Sequence, residues 1–363
     1  MTSDLSSASL QKSLLILMSA PEISPADFDR QALTTFAHQY AYNLPFQRFC
    51  QQRGKTPRTV KSWRDIPAVP ISGFKELTLS CTPPASAARI FMTSGTTQAD
   101  VRGKHYHPHL LVYDESMTRH FSQRFMRGHN KIRMGILFPS ETLMPNSSLA
   151  HYLALAKTRF GTSDSVYLID ESGVNLPLAI SDLTDAQNSG QPYALLGASY
   201  SLVHLMDALQ AQGLEFKLPV GSRVLDTGGF KGQSRELTPE AFYEQLAKTF
   251  GVHASHCINM YGMTELSTQF YDDGNATWPS VKSGPGWIRT RVVDPMTGED
   301  MPDGVPGVLV HCDLANFNSV STILTEDVGV IAPEGFVLMG RAGGSAAKGC
   351  SLAVEEFLKA AKA

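Results

Sequence analysis

Apolar positions in the N-terminal part of the chain fall at helix-like spacing. In "PADFDRQALTTFAHQYAYNLPFQRFCQQRG" they are Phe28, Leu33, Phe36, Tyr40 and Leu44, and Gly54 ends the run. Residues 1–65 therefore read as a helical layer that packs and lines a substrate site. From about residue 130 the pattern alternates between strand and helix. "RMGILFPS" reads as strand, "SSLAHYLALAKTRFG" as helix, "SVYLID" as strand, and "YALLGAS" as a strand leading into the helix "SLVHLMDALQAQG". Gly161 and Gly213 stand where helix C-caps belong. The series continues with "SRVLDTGG" as strand, a helix from Thr238 to Gly251 with Pro239 in its first turn, and "HCINMYG" as strand. Strands separated by helices imply a mainly parallel sheet covered on both faces.

After residue 280, "WIRTRVVDPMTGEDMPDGVPGVLVHCDL" sets turn residues between two β-rich runs, the pattern of a hairpin opening a smaller β subdomain. The tail "GRAGGSAAKGCSLAVEEFLKAAKA" begins with a Gly/Ala/Ser stretch that reads as a hinge and ends in a short helical run. The expected organisation is one large lobe over 1–340, helical over about 1–65, α/β over about 66–280 and β-rich over about 281–340. A hinge and tail follow over 341–363.

Composition narrows the function. At 42% hydrophobic and 18% charged the chain is an ordinary globular one, and 363 residues suffice for two lobes or for one large lobe with an appendage. A net charge of -3 gives no reason to expect nucleic acid as a partner. The cysteines Cys50, Cys81, Cys257, Cys312 and Cys350 are odd in number, scattered and never in a C-x-x-C pair, which argues for a reduced, cytoplasmic chain over a disulfide framework or a zinc knuckle. "SLLILMSA" is too short, and too poor in preceding basic residues, for an export signal and reads as the start of an amphipathic helix. No apolar run approaches the roughly 20 residues that span a bilayer.

Two stretches carry candidate chemistry. "TSGTT", Thr93, Ser94, Gly95, Thr96 and Thr97, can aim hydroxyls and backbone N–H groups at an anion, or can be plain loop composition; no Gly-Lys-Ser/Thr follows to make it a Walker loop. "NMYGMTELS" ends a strand at Tyr261 and Gly262 and turns through Met263 to present Thr264 and Glu265. In a doubly wound sheet that is where ligands bind, so Glu265 can hold Mg²⁺ against a triphosphate, Thr264 can reach the α-phosphate and Tyr261 can lie against a base. The alternative is an ordinary helix start, where the dipole favours Glu265. "HYHPH", with His105, His107 and His109 alternating, reads as a strand after the loop in preference to a metal site. His151 reads as a core-edge histidine.

Together the stretches resemble the adenylate-forming superfamily of acyl-CoA synthetases, luciferases and peptide-synthetase adenylation domains. "DTGGFKG", "LTEDVGVI" and "GFVLMGR" follow in the superfamily's order, so the resemblance covers residues 91 to 350. It implies that Thr93 to Thr97 meet phosphates, Gly228 and Gly229 line the adenine site, Asp327 takes the ribose hydroxyls and Arg341 lies at the hinge. It also implies ATP and Mg²⁺ and an α/β large-lobe architecture of mainly parallel, helix-covered sheets with a small β subdomain. Gln98 stands where the superfamily usually has a second glycine. The tail after Arg341 is too short for the superfamily's mobile lid domain with its catalytic lysine, so the lid is expected to be truncated.

In one branch, the acyl-protein synthetases of the bacterial luminescence fatty-acid reductase complex, a cysteine in the short tail accepts the acyl group, and Cys350 matches its place. Lys348 beside it can lower the thiol pKa, although a free cysteine is more often a buried apolar group. The expectation is ATP-dependent activation of a carboxylic acid, a fatty acid by preference, transfer to Cys350, and delivery to an acyl-accepting protein such as a reductase or carrier. The rivals are a ligase transferring directly to coenzyme A, a carrier protein or an amine, and an inactive nucleotide-binding regulatory subunit.

Overall fold

The computed structural model describes residues 6–94, 101–230 and 232–362. The chain divides into two compact units, one formed by Met1–Met117, Met263–Thr268 and Ser283–Ala363, the other by Thr118–Gly262 and Gln269–Lys282.

The first unit opens with helices Ser7–Ser19, Pro25–Tyr42 and Leu44–Gln52. The sequence suggested one continuous apolar stripe through the second and third of these. The chain instead breaks at Asn43, whose side-chain oxygen accepts from the Phe46 N–H and starts the third helix. The buried face of Pro25–Tyr42 is set by Phe28, Ala32, Thr35, Phe36 and Gln39, and Leu44 is exposed. The β part of this unit is an antiparallel series, Ile288–Val293, Gly307–Asp313, Thr322–Ala332 and Gly335–Arg341. The first two strands are the hairpin read from the turn residues. Val69–Pro70 runs parallel to Thr322–Ala332 and pairs Val69 with Ile323.

The tail corrects the hinge expectation. Gly344 to Lys362 is one helix, so among the hinge residues only Ala342 and Gly343 lie between it and the last strand. Phe357 is fully buried and meets Phe49 edge-on at 4.9 Å, and Arg53 grips Glu356 through two hydrogen bonds.

The second unit holds the parallel sheet. Its strands run in the order Phe270–Tyr271, Cys257–Tyr261, Arg223–Thr227, Tyr193–Ala198, Arg133–Leu137, Val166–Tyr167, all parallel except the first. Helices Ser148–Phe160, Leu176–Ser189, Ser199–Ala211 and Pro239–Phe250 alternate with the strands. Their apolar faces meet the sheet in a core that includes Leu183, Tyr193, Leu205, Val224 and Leu246. Leu176–Ser189 is a helix the apolar pattern did not single out. The Thr238 side chain caps Pro239–Phe250, which ends on Gly251 in the left-handed conformation, as expected. Gly161 is not left-handed; a Cβ there would lie 2.4 Å from the Lys157 carbonyl oxygen, so glycine is needed for close packing.

Candidate active site

The site is clearest around Glu265 in the first unit. The turn that carries it is held at its backbone by three side chains from other segments. His105, on the strand Lys104–His107, brings Nδ1 within 3.0 Å of the Thr264 carbonyl oxygen. A carbonyl can only accept, so Nδ1 carries the proton; burial lowers the pKa of this histidine to about 4 and keeps the ring neutral. Asn316 donates Nδ2 to the Glu265 carbonyl at 2.7 Å. Asp313 accepts from the N–H groups of Ser267 and Thr268, each at 2.9 Å, and from the Thr268 hydroxyl at 2.7 Å. Sequence reasoning missed Asp313, at the end of the hairpin's second strand, and Asn316 just after it, with no motif around them. The strand reading of "HYHPH" holds for Lys104–His107, which pairs with Arg89–Met92.

The Glu265 carboxyl is only 5% exposed, and among the described residues no side chain bonds to it. Burial raises its pKa to about 7, against its own backbone N–H and the charges of Lys75 and Arg341, which lower it, while Glu326 raises it. A buried carboxylate without a partner suits an external cation. One carboxylate completed by phosphate oxygens is the oxygen set that Mg²⁺ takes, so the residues fit a magnesium–nucleotide pair.

Thr93 lies beside this carboxylate. Its hydroxyl accepts from the Gly103 N–H at 2.9 Å, and its own N–H donates to the Gly103 carbonyl at 3.0 Å. Those bonds close the loop whose residues Gly95, Thr96, Thr97 and Gln98 lie outside the described residues. A Cβ on Gly103 would sit 3.2 Å from the Thr93 methyl, 3.4 Å from Glu265 Oε1 and 3.5 Å from Phe74, so these three side chains converge on this glycine. Ser94 is exposed at the start of the loop.

Asp327 and Arg341 are cross-strand partners. Arg341 reaches Asp327 Oδ1 at 3.2 Å with one nitrogen and Glu326 Oε2 at 3.0 Å with another. Cys350 faces the other way, into a cluster of Val293, Val308, Val310 and Leu324. The residue is 6% exposed and its thiol points to the Thr325 carbonyl at 3.8 Å. Burial pushes its pKa up and Glu326 adds to that, while its own backbone N–H and Arg341 pull the other way. Lys348 does not take the part expected of it. It is exposed and two helical positions from Cys350, a spacing that points side chains to different faces, so the cation acting on the thiol is Arg341.

In the second unit the motif residues Gly228, Gly229 and Tyr261 gather at the C-terminal ends of adjacent parallel strands, where Asn259 pairs with Asp226 and Met260 with Thr227. The Thr227 hydroxyl donates to the Met260 carbonyl at 2.8 Å and ties the two strand ends. Gly228 has a φ of 80°, which the turn leaving the strand requires. Tyr261 is buried with its ring 5.8 Å from Phe270, while Gly262 is exposed. Asp226 accepts from Asn259 Nδ2 at 2.7 Å, the Ser199 hydroxyl at 3.0 Å and the Tyr243 hydroxyl at 3.1 Å, and burial raises its pKa to about 6. His151 bonds to Glu141 at 2.7 Å.

The family described as acyl-protein synthetase, LuxE, matches residues 16–359. The chain belongs to the LuxE acyl-protein synthetase family. It is 23% identical over 330 residues to the long-chain-fatty-acid–luciferin-component ligase of Vibrio harveyi, covering 88% of this chain and 84% of that one. The ligase of the same description from Aliivibrio fischeri is 21% identical over 346 residues, covering 91% and 88%. Among solved structures, a 2-hydroxyisobutyryl-CoA ligase bound to 2-HIB-AMP and CoA superposes with a TM-score of 0.62 at 15% identity, over 88% of this chain and 71% of that one. That likeness establishes the α/β fold of the adenylate-forming enzymes for this LuxE family member.

Proposed function

We propose that the protein activates a long-chain fatty acid with ATP and passes the acyl group, through a thioester on Cys350, to an acyl-accepting protein. The observation that carries this reading is the buried, side-chain-unpartnered carboxylate of Glu265 beside Thr93, within a chain of the acyl-protein synthetase family. A carboxylate oxygen of the acid attacks the α-phosphorus, the bond to the β-phosphate breaks, and pyrophosphate leaves with the electron pair. Thr93 and Ser94 supply hydroxyls at the start of the phosphate loop, with Gly95, Thr96 and Thr97 following by resemblance. Glu265 would hold Mg²⁺, which would disperse phosphate charge, and the Thr264 hydroxyl bonds to an α-phosphate oxygen. Asp327 accepts from the ribose hydroxyls, and Arg341 orients Asp327. By the resemblance, Gly228, Gly229, Tyr261 and Gly262 of the second unit serve the base, and Met263 of the first unit precedes Thr264 in the nucleotide motif. The Cys350 thiolate then attacks the acyl carbon, a C–S bond replaces the C–O bond, AMP leaves, and the thiol proton goes to solvent.

The burial of Cys350 favours a second reading, direct transfer to an outside thiol or amine, because self-acylation requires the tail helix to lift first. ATP–pyrophosphate exchange over a series of carboxylic acids tests adenylation. Long-chain acids driving exchange above short and aromatic ones is the expected result, and no exchange with any acid would leave a silent nucleotide-binding subunit as the better account.

A further inference from the structure

The charges around Glu265 leave a deficit. Glu265, Glu326 and Asp327 are three carboxylates of one unit, and Arg341 is already shared between two of them. A triphosphate and a substrate carboxylate add further negative charge at the reacting centre, and like charges oppose their approach. Lys75 is an exposed cation whose charge acts on Glu265, and among the described residues no carboxylate lies within ion-pair distance of it.

Several independent packing contacts fix the backbone of Lys75. The Ile71 N–H donates to the Leu324 carbonyl at 2.9 Å, which ties the segment to the strand that carries Glu326 and Asp327. The short helix Gly73–Glu76 follows, and Phe74 meets the His105 ring at 5.7 Å and closes on Gly103, the same glycine that Glu265 Oε1 and Thr93 approach. Gly73 is pinned from the far side, since a Cβ there would lie 2.6 Å from the Phe357 ring of the tail helix. Lys75 is thus held against the Glu265 turn by its neighbours in sequence, while its own side chain is left in solvent.

We propose, on the strength of the adenylation reading above, that Lys75 is a catalytic residue whose ammonium contacts the triphosphate of ATP beside Glu265. An ammonium on a flexible stem meets phosphate oxygens as a point charge and can follow charge as pyrophosphate departs. Among the described residues Lys75 makes no bond to any side chain that would need to break first.

The test is acid-dependent ATP–pyrophosphate exchange, with direct ATP titration, on wild type, Lys75→Gln and Lys75→Arg. Lys75→Gln is expected to lower kcat/KM for ATP roughly tenfold to a hundredfold, the loss of one charge-assisted hydrogen bond. Lys75→Arg is expected to recover most of that, and thermal unfolding is expected to match wild type because the side chain is exposed. Wild-type kinetics in Lys75→Gln would overturn this inference and leave adenylation standing. Equal losses in both variants with a lowered melting temperature would overturn it in favour of a structural role. A wild type that neither exchanges nor binds ATP would remove the adenylation reading and this inference together.

Discussion

Arg341 and Asp327 face each other across two antiparallel strands, with guanidinium and carboxylate 3.2 Å apart. The pair gives the proposed ribose acceptor a fixed direction before nucleotide arrives. Asp327→Ala is expected to weaken ATP binding by on the order of 1.5–3 kcal/mol, the value of a hydrogen bond to a charged acceptor. Calorimetric titration checks it; unchanged affinity would take Asp327 out of the nucleotide site.

Glu265 makes a prediction about stability as well as activity. Burial raises its pKa from 4.5 to about 7, so the folded protein holds a proton that the unfolded chain releases. That contribution is fully present below pH 4.5 and is lost as pH rises through 7. Glu265→Gln should therefore melt above wild type at pH 8, by up to about 3 kcal/mol, and the advantage should vanish near pH 4. The same variant should lose magnesium-dependent exchange. Equal melting at both pH values would show that the carboxylate already has a partner.

Cys350→Ser separates the two half-reactions. Exchange should persist, while hydroxylamine-labile acyl label on the protein should disappear. Burying the serine hydroxyl should cost about 1–3 kcal/mol in chemical unfolding. Labelling equal to wild type would eliminate Cys350 as the acceptor and favour direct transfer.

Phe357 anchors the helix that hides Cys350. Phe357→Ala is expected to cost about 3–5 kcal/mol and to speed reaction of Cys350 with a disulfide reagent. Mass spectrometry should find Cys350 modified well before the buried Cys257 and Cys312. Modification of all three at one rate would mean that the helix comes away only with global unfolding.

Much of the α/β part was legible because most of its strands and helices carry their own signals, whereas the two-residue strands Val69–Pro70 and Phe270–Tyr271 do not. Arg223–Thr227, Pro239–Phe250 and Cys257–Tyr261 combine an apolar run with a local cap or a glycine stop. The candidate site was legible as motifs, but the side chains that hold it were not. Asp313, Asn316 and His105 act through the backbone of a distant turn, and no spacing in the sequence signals that. The tail misled for a related reason. Its glycines and alanines read as a hinge, whereas the helix packs its small residues Ala346 and Ala353 against the cluster that holds Val293, Val308 and Leu324. Lys348 is two positions from Cys350 in sequence but on another face once the helix forms.

The clamp on the Glu265 turn also dictates an order of events in biosynthesis. Asn316 contributes Nδ2 to the Glu265 carbonyl 51 positions earlier, and its own carbonyl accepts from Gln39, 277 positions away. On a chain emerging from the ribosome, the phosphate-loop strand and the Thr264–Glu265 turn exist for some time before the residues that fix them. Such long-range closures are slow and leave apolar strands uncovered meanwhile. The geometry of the candidate site is therefore among the last things this chain acquires, and a ribosome-bound nascent chain stalled before Asp313 should have no ordered Glu265 turn.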